Sequence, residues 1–234
     1  MEQLLQLGDE DYLSLEDDEL FILAGWGAWV GVEMGGGKGA EGEDATLVKE
    51  VVRAVKEELQ LWDHQARAIE VMLLAPWWRG IHQLPTGSGK TKLALGLILS
   101  YRRATGDAGP WLYLAPNKQL LRQVEASAEK MGIGGITYST YGCLERQVNW
   151  AEGERIGVCG VIGDEVHTAV TANRLPALLS IRSKLWCGLS GTPTMRSNGG
   201  NSLVIGAFGP MLTEVTVSEF VHKGMLPGVN VQEF

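Results

Sequence analysis

Gly80-Ile81-His82-Gln83-Leu84 is a short, mostly apolar run that passes without a break into Pro85-Thr86-Gly87-Ser88-Gly89-Lys90-Thr91. Beyond it, Leu93, Ala94, Leu97 and Ile98 recur at helical spacing. Strand, glycine loop and helix in that order constrain this chain more than any other feature. Glycines let the backbone turn tightly and aim successive N–H groups at one point, and the helix that follows adds the positive end of its dipole. Such a concavity suits phosphate oxygens. The stretch follows the G-x₄-G-K-[ST] rule, except that Leu84 stands at the first glycine position. In that pattern Thr86, Gly87, Ser88 and Gly89 form the cradle, Lys90 reaches the β- and γ-phosphates, and the Thr91 hydroxyl ligates Mg²⁺. The ligand that fits is a nucleoside triphosphate with its magnesium.

The other half of such a metal site is expected at the end of a neighbouring strand. Val158-Cys159-Gly160-Val161-Ile162-Gly163, followed by Asp164-Glu165-Val166-His167, supplies it. Two adjacent carboxylates divide the labour: Asp164 holds Mg²⁺ through water, and Glu165 orients and deprotonates the attacking water, a role worth about 10²–10⁴ in rate. Lys90, Asp164 and Glu165 are therefore the candidate catalytic residues.

Further apolar runs at Trp111–Ala115, Gly135–Tyr138 and Leu185–Ser190 alternate with helical stretches, which predicts βαβ units and a parallel sheet. Upstream, Gly31–Glu43 has almost no large side chain after Met34 and reads as a flexible loop, with a domain boundary near residues 35–43. After it, Leu47, Val48, Val51, Val52, Val55 and Leu59 predict an amphipathic helix capped by Asp44. The run Leu20–Val32 is broken by Gly25, Gly27 and Gly31 and falls short of the roughly 20 residues that span a bilayer, so it reads as core or sheet. Acidic residues crowd the beginning and no basic start precedes an apolar stretch, so the expectation is a cytoplasmic protein of a bacterial or phage-infected cell. Cys143, Cys159 and Cys187 are odd in number and lack paired C-x₂-C spacing, which predicts reduced, buried thiols and no zinc site.

Taken as an average, a net charge of −8 over 234 residues argues against a nucleic-acid partner, because phosphate contacts need Lys and Arg. The average conceals two regions. Residues 1–60 hold 15 acids and 4 bases, and residues 61–234 hold 13 acids and 16 bases. The main body is mildly basic, which permits nucleic acid.

Taken in order, Leu61-Trp62-Asp63-His64-Gln65, the glycine loop, Ala115–Gln123, Ser139-Thr140-Tyr141, Asp164–His167 and Leu189-Ser190-Gly191-Thr192-Pro193 resemble the motif series of superfamily 2 helicases. The likeness is to the branch that holds restriction-enzyme motor subunits, XPB-like helicases and phage branch-migration helicases. It covers about residues 59–230. It implies an α/β fold: a RecA-like P-loop domain over residues 46–234 with a parallel sheet flanked by helices, preceded by a small acidic segment, residues 1–45, that ends in the glycine-rich linker. By the same resemblance Gln65 reads the adenine, Pro116, Lys118 and Thr140 touch a nucleic-acid backbone, and His167, Ser190 and Thr192 couple the two sites. For Lys118 and Arg122 a solvated helix face is the competing reading. Trp62 stands where an arginine is frequent and is either a core aromatic or an adenine-stacking ring. Trp77 and Trp78 read as core. Arg196–Gly199 resembles the R-x-D-G that often follows, with Asn198 in the aspartate place.

The function implied is that of an ATP-dependent motor acting on DNA, with RNA as the alternative, cofactors ATP and Mg²⁺, and no membrane. The family's motor also needs a second RecA-like domain bearing an arginine finger, which is not in these residues. The expectation is half a motor, nearly inactive alone. Val229–Phe234 reads as the start of a strand, so a piece of a longer protein is expected, with a short natural product as the alternative. Two other functions compete: a nucleotide-dependent switch that does not unwind, and a P-loop kinase or other NTPase. The second is disfavoured by the Asp164–His167 and Ser190–Pro193 motifs in this order. For the acidic N-terminal segment, docking of a protein partner, mimicry of nucleic-acid charge and a solubilising cap all remain open.

Overall fold

The computed structural model describes residues 5–6, 12–16, 19–21, 43–75, 77–147, 156–169, 171, 174–191 and 200–222. The expectations for the glycine-rich stretch 31–42, for Thr192-Pro193, for Arg196–Gly199 and for Val229–Phe234 lie outside these. Near the start, β1 (Leu5–Gln6), β2 (Tyr12–Glu16) and β3 (Glu19–Phe21) form a three-stranded antiparallel sheet. Of the run Leu20–Val32, Leu20 and Phe21 belong to β3.

The second sheet is six-stranded and all parallel. It contains β4 (Arg79–Gln83), β5 (Trp111–Ala115), β6 (Ile136–Thr140), β7 (Ile156–Asp164), β8 (Ile181–Ser190) and β9 (Met211–Glu214), in the order β6-β5-β7-β8-β4-β9. From β4 the chain crosses over β8 and β7 to reach β5, and it later returns to place β8 and β9 on either side of β4. In a parallel sheet every carboxyl end opens on one edge, and ligands sit there where the strand order reverses. Apart from Leu61–Gln65, which lies upstream of β4, the motifs among the described residues stand at such ends.

Helices cover both faces, so the strands read as continuous apolar runs. In β5, Trp111, Tyr113 and Ala115 enter one core and Leu112 and Leu114 the other. The first core is closed by α1 (Glu43–Leu59), α2 (Asp63–Leu74), α3 (Lys90–Thr105) and α4 (Lys118–Lys130). The second is closed by α5 (Tyr141–Gln147), α6 (Val166–Ala169), α7 (Leu175–Leu179) and α8 (Gly200–Phe208). A last helix, α9 (Val217–His222), follows β9.

Several expectations are corrected. The first main-body helix starts at Glu43, one residue before the proposed cap Asp44, and Leu47 on its rim is exposed, whereas Val48, Val52 and Val55 are buried. Of the three free thiols only Cys187 is buried; Cys143, in the short helix α5, and Cys159, in the less buried first half of β7, are partly exposed. Trp77 and Trp78, expected as core, are half-buried; Trp78 packs against the first core, donating through Nε1 to Leu73 O at 2.8 Å and meeting Tyr101 edge to face. No described helix is long and apolar enough to cross a membrane.

Candidate nucleotide site

Leu84 leaves the sheet with its N–H bound to Ser190 O at 2.8 Å, and the chain then turns through Gly87 (φ 84°) and Gly89 (φ 75°) into α3. Both glycines adopt the left-handed region that residues with a side chain avoid. Thr86 and Gly87 are exposed, Ser88 is buried, and Gly89, Lys90 and Thr91 are half-buried. Lys90 and Thr91 open α3, where backbone N–H groups have no helical partner and attract an anion.

Gln65 lies under this loop. Its amide nitrogen donates to Ser88 O at 3.0 Å and to Gly89 O at 3.1 Å, and its Oε1 accepts from Trp62 N at 2.8 Å. A Cβ at Gly89 would stand 2.3 Å from that nitrogen, so glycine is required there for packing as well as for φ. His64 Nε2 meets the same Ser88 carbonyl at 3.0 Å. The residue expected to read adenine is thus only 1% exposed, with both of its N–H donors on the loop. It could donate to a base only by releasing a loop carbonyl, whereas its Oε1, which accepts one bond, has a second lone pair. Trp62 caps the start of α2 and is 41% exposed, so it is not core; its ring lies 5.5 Å from His64 and 6.3 Å from Phe220 of α9.

Facing the loop, β7 delivers Asp164 and Glu165. Lys90 Nζ lies 2.5 Å from Glu165 Oε1. Asp164 is buried; Tyr113 donates to its Oδ2 at 3.3 Å, and its Oδ1 has no protein partner. Burial raises the Asp164 pKa, the Lys90 charge opposes that rise and the Glu165 charge adds to it. A buried carboxylate with an unused oxygen and a disfavoured charge suits a divalent cation. Among the described residues no group of three or more His, Cys, Asp or Glu could hold a metal by itself. That fits Mg²⁺, which is held by one or two carboxylates together with phosphates.

Glu165 Oε2 lies 3.4 Å from His167 Nδ1, and that nitrogen is 2.5 Å from Ser190 Oγ at the end of β8. His167 and Ser190 are therefore brought together, and Thr192, the third of that set, lies outside the described residues.

Residues 62–159 match the DEAD/DEAH box helicase family. The DNA 3′–5′ translocase XPB2 of Sulfurisphaera tokodaii is 28% identical over 184 residues, 72% of this chain and 39% of that protein. The chain spans about two fifths of the length of that curated relative. Among solved structures, the helicase domain of Pyrococcus furiosus Hef aligns with a TM-score of 0.55 at 18% identity, over 75% of this chain and 42% of that one. The SWI2/SNF2 ATPase core of Sulfolobus solfataricus, in complex with double-stranded DNA, aligns with a TM-score of 0.52 at 18% identity, over 70% and 38%. These likenesses show the RecA-like fold.

The residues expected to face nucleic acid gather at the outer edge of the sheet. Pro116 and Lys118 are exposed after β5, and Thr140 is half-buried at the end of β6. Lys118, Arg122, Thr137 and Thr140 line one groove of about 540 Å³, together with Tyr138 and Cys143. Thr140 Oγ1 accepts from Cys143 N at 3.1 Å, which leaves its own proton free to be donated. Three further residues bear on the site and were not singled out from the sequence. Asn117 caps α4 through Leu120 N at 3.0 Å, Tyr113 holds Asp164, and Tyr141 donates to Asp164 O at 3.0 Å. The Asn117 signal was present, since asparagine before a helical run is a capping pattern. The tyrosines gave none.

Proposed function

We propose that this chain is the ATP-binding half of a DNA-translocating motor and hydrolyses ATP when a second RecA-like domain closes over the γ-phosphate. The observation that carries the reading is the convergence, beneath one glycine loop, of Lys90, Glu165 and an Asp164 oxygen that no protein group occupies. The loop N–H groups and Lys90 hold the phosphates. Lys90 has three donors, so it can serve Glu165 and phosphate oxygens together. Thr91 and Asp164 would hold Mg²⁺, which neutralises charge on the phosphates. Glu165 takes the proton of the attacking water, and His167 with Ser190 and Thr192 relays the state of this site along the carboxyl edge.

The choice of DNA is supported by the relatives: one is named a DNA translocase, and the archaeal ATPase core is a complex with duplex DNA. Pro116, Lys118 and Thr140 would contact the backbone, which positions a strand without reading its sequence. A motor of this kind works in the cytoplasm. An arginine supplied by the second domain is worth about 10³–10⁵ in rate, so the 234-residue chain alone should bind ATP weakly and turn it over negligibly.

Titration of the chain with a fluorescent ATP analogue and Mg²⁺ tests the reading. Lys90→Ala removes a charge-assisted contact of about 1.5–3 kcal/mol, so binding should weaken roughly tenfold or more. Unchanged affinity would remove Lys90 from the site. Phosphate release, with and without single-stranded DNA, checks the half-motor part. Rapid DNA-stimulated turnover by residues 1–234 alone would overturn that part.

A further inference from the structure

Glu165 has φ 51°, inside the left-handed region that a residue with a side chain rarely occupies. Its φ is a rotation about the bond that follows the Asp164–Glu165 peptide, so whatever fixes that peptide plane fixes where the Glu165 carboxylate points. Tyr141 fixes it. The phenol donates to the oxygen of this peptide, Asp164 O, at 3.0 Å, and the side chain is 2% exposed. Burial raises the Tyr141 pKa well above its ordinary value, so the hydroxyl keeps the proton it donates. The neighbouring residue is matched to this contact: a Cβ at Gly163 would stand 2.4 Å from Phe208 Cζ and 2.9 Å from the Tyr141 hydroxyl, so glycine lets the phenol in. Tyr113 acts on a different group, the Asp164 carboxylate.

We propose that Tyr141 is a positioning residue for Glu165, holding the Asp164–Glu165 peptide in its strained conformation and so aiming the carboxylate that receives the water proton. It touches neither phosphate nor water. Its anchor is the first turn of α5, directly after Thr140, so the carboxylate is held from the edge of the sheet where a nucleic-acid backbone is proposed to lie. The inference rests on the reading of Glu165 as the base.

The test compares wild type with Tyr141→Phe and Tyr113→Phe in the 234-residue chain. It uses single-turnover hydrolysis of radiolabelled ATP with protein in excess, affinity for a fluorescent ATP analogue, and melting temperature. Tyr141→Phe should lower the slow single-turnover rate, read with protein at concentrations that saturate a trace of ATP and with Mg²⁺ saturating, by about tenfold, since small misplacements of a reacting group are costly, and leave affinity, Mg²⁺ requirement and melting near wild type. Tyr113→Phe should instead raise the Mg²⁺ concentration needed. A Tyr141→Phe rate within about twofold of wild type overturns the proposal, as does a rate loss matched by an equal loss of affinity, which is what general damage to the fold produces. A wild-type chain that binds no ATP analogue defeats the functional reading itself, visibly and before any variant is compared, and the proposal falls with it.

Discussion

Gln65 commits both amide protons to the carbonyls of Ser88 and Gly89, and His64 adds a third contact to the first of these. With the Ser88 oxygen held toward α2, the N–H of the same peptide, on Gly89, faces the opposite way, toward the phosphate side. Loss of the amide therefore loosens the loop whichever base is bound. We expect Gln65→Ala to weaken ATP and GTP alike, by roughly 1–2 kcal/mol for a buried amide left unmatched. Competition titrations with the two nucleotides check this, and a loss confined to ATP would support the adenine-reading role instead. The sequence pointed to the glutamine, because its place upstream of the glycine loop is a local pattern. Its partners are 23 and 24 residues away, and spacing cannot tell whether an amide faces a base or a loop.

At the level of elements, Asn117 offers the cleanest measurement. It is exposed, its φ and ψ are extended, and its side chain accepts from Leu120 N at the start of α4. Asn117→Ala should cost about 1 kcal/mol in urea unfolding, with the slope unchanged; no shift in midpoint would mean that solvent caps the helix equally well. Elements with strong local patterns were legible. Trp111–Ala115 is the strand expected, and β4 and β7 differ from expectation only at their ends. The strand expected at Leu185 begins at Ile181, because Arg182 and Lys184 sit on its exposed half and read as loop. The edge strand β9 was missed: three half-exposed residues and an exposed Glu214 carry no period, and only pairing with β4 defines them. The same limit hid part of the site. Glycine loop and paired carboxylates are contiguous in sequence, whereas Tyr141 and Tyr113 act on Asp164 across separations of 23 and 51 residues.

For the whole molecule, one buried imidazole links stability to acid. His82 is fully buried between β4 and β9, with Nδ1 2.7 Å from Thr213 Oγ1 and no partner for Nε2. Burial lowers its pKa to about 4. The unfolded chain takes up a proton near pH 6.5 while the native state refuses it. The stability held above that pH is therefore lost as pH falls toward 4, with a ceiling of about 3 kcal/mol. Urea unfolding between pH 7.5 and 5 should show a steeper loss for wild type than for His82→Gln, and parallel curves would contradict this. The strand that carries His82 also has both its neighbours, β8 and β9, at the far end of the main body, and Gln83 bonds Glu214 across 131 residues. A ribosome adds roughly 5–20 residues per second, so β4 waits on the order of ten seconds with its edges open. Meanwhile β5 can already pair with β6 on one side and β7 on the other. The phosphate loop thus follows the first strand of this sheet to be synthesised, and takes its shape among the last.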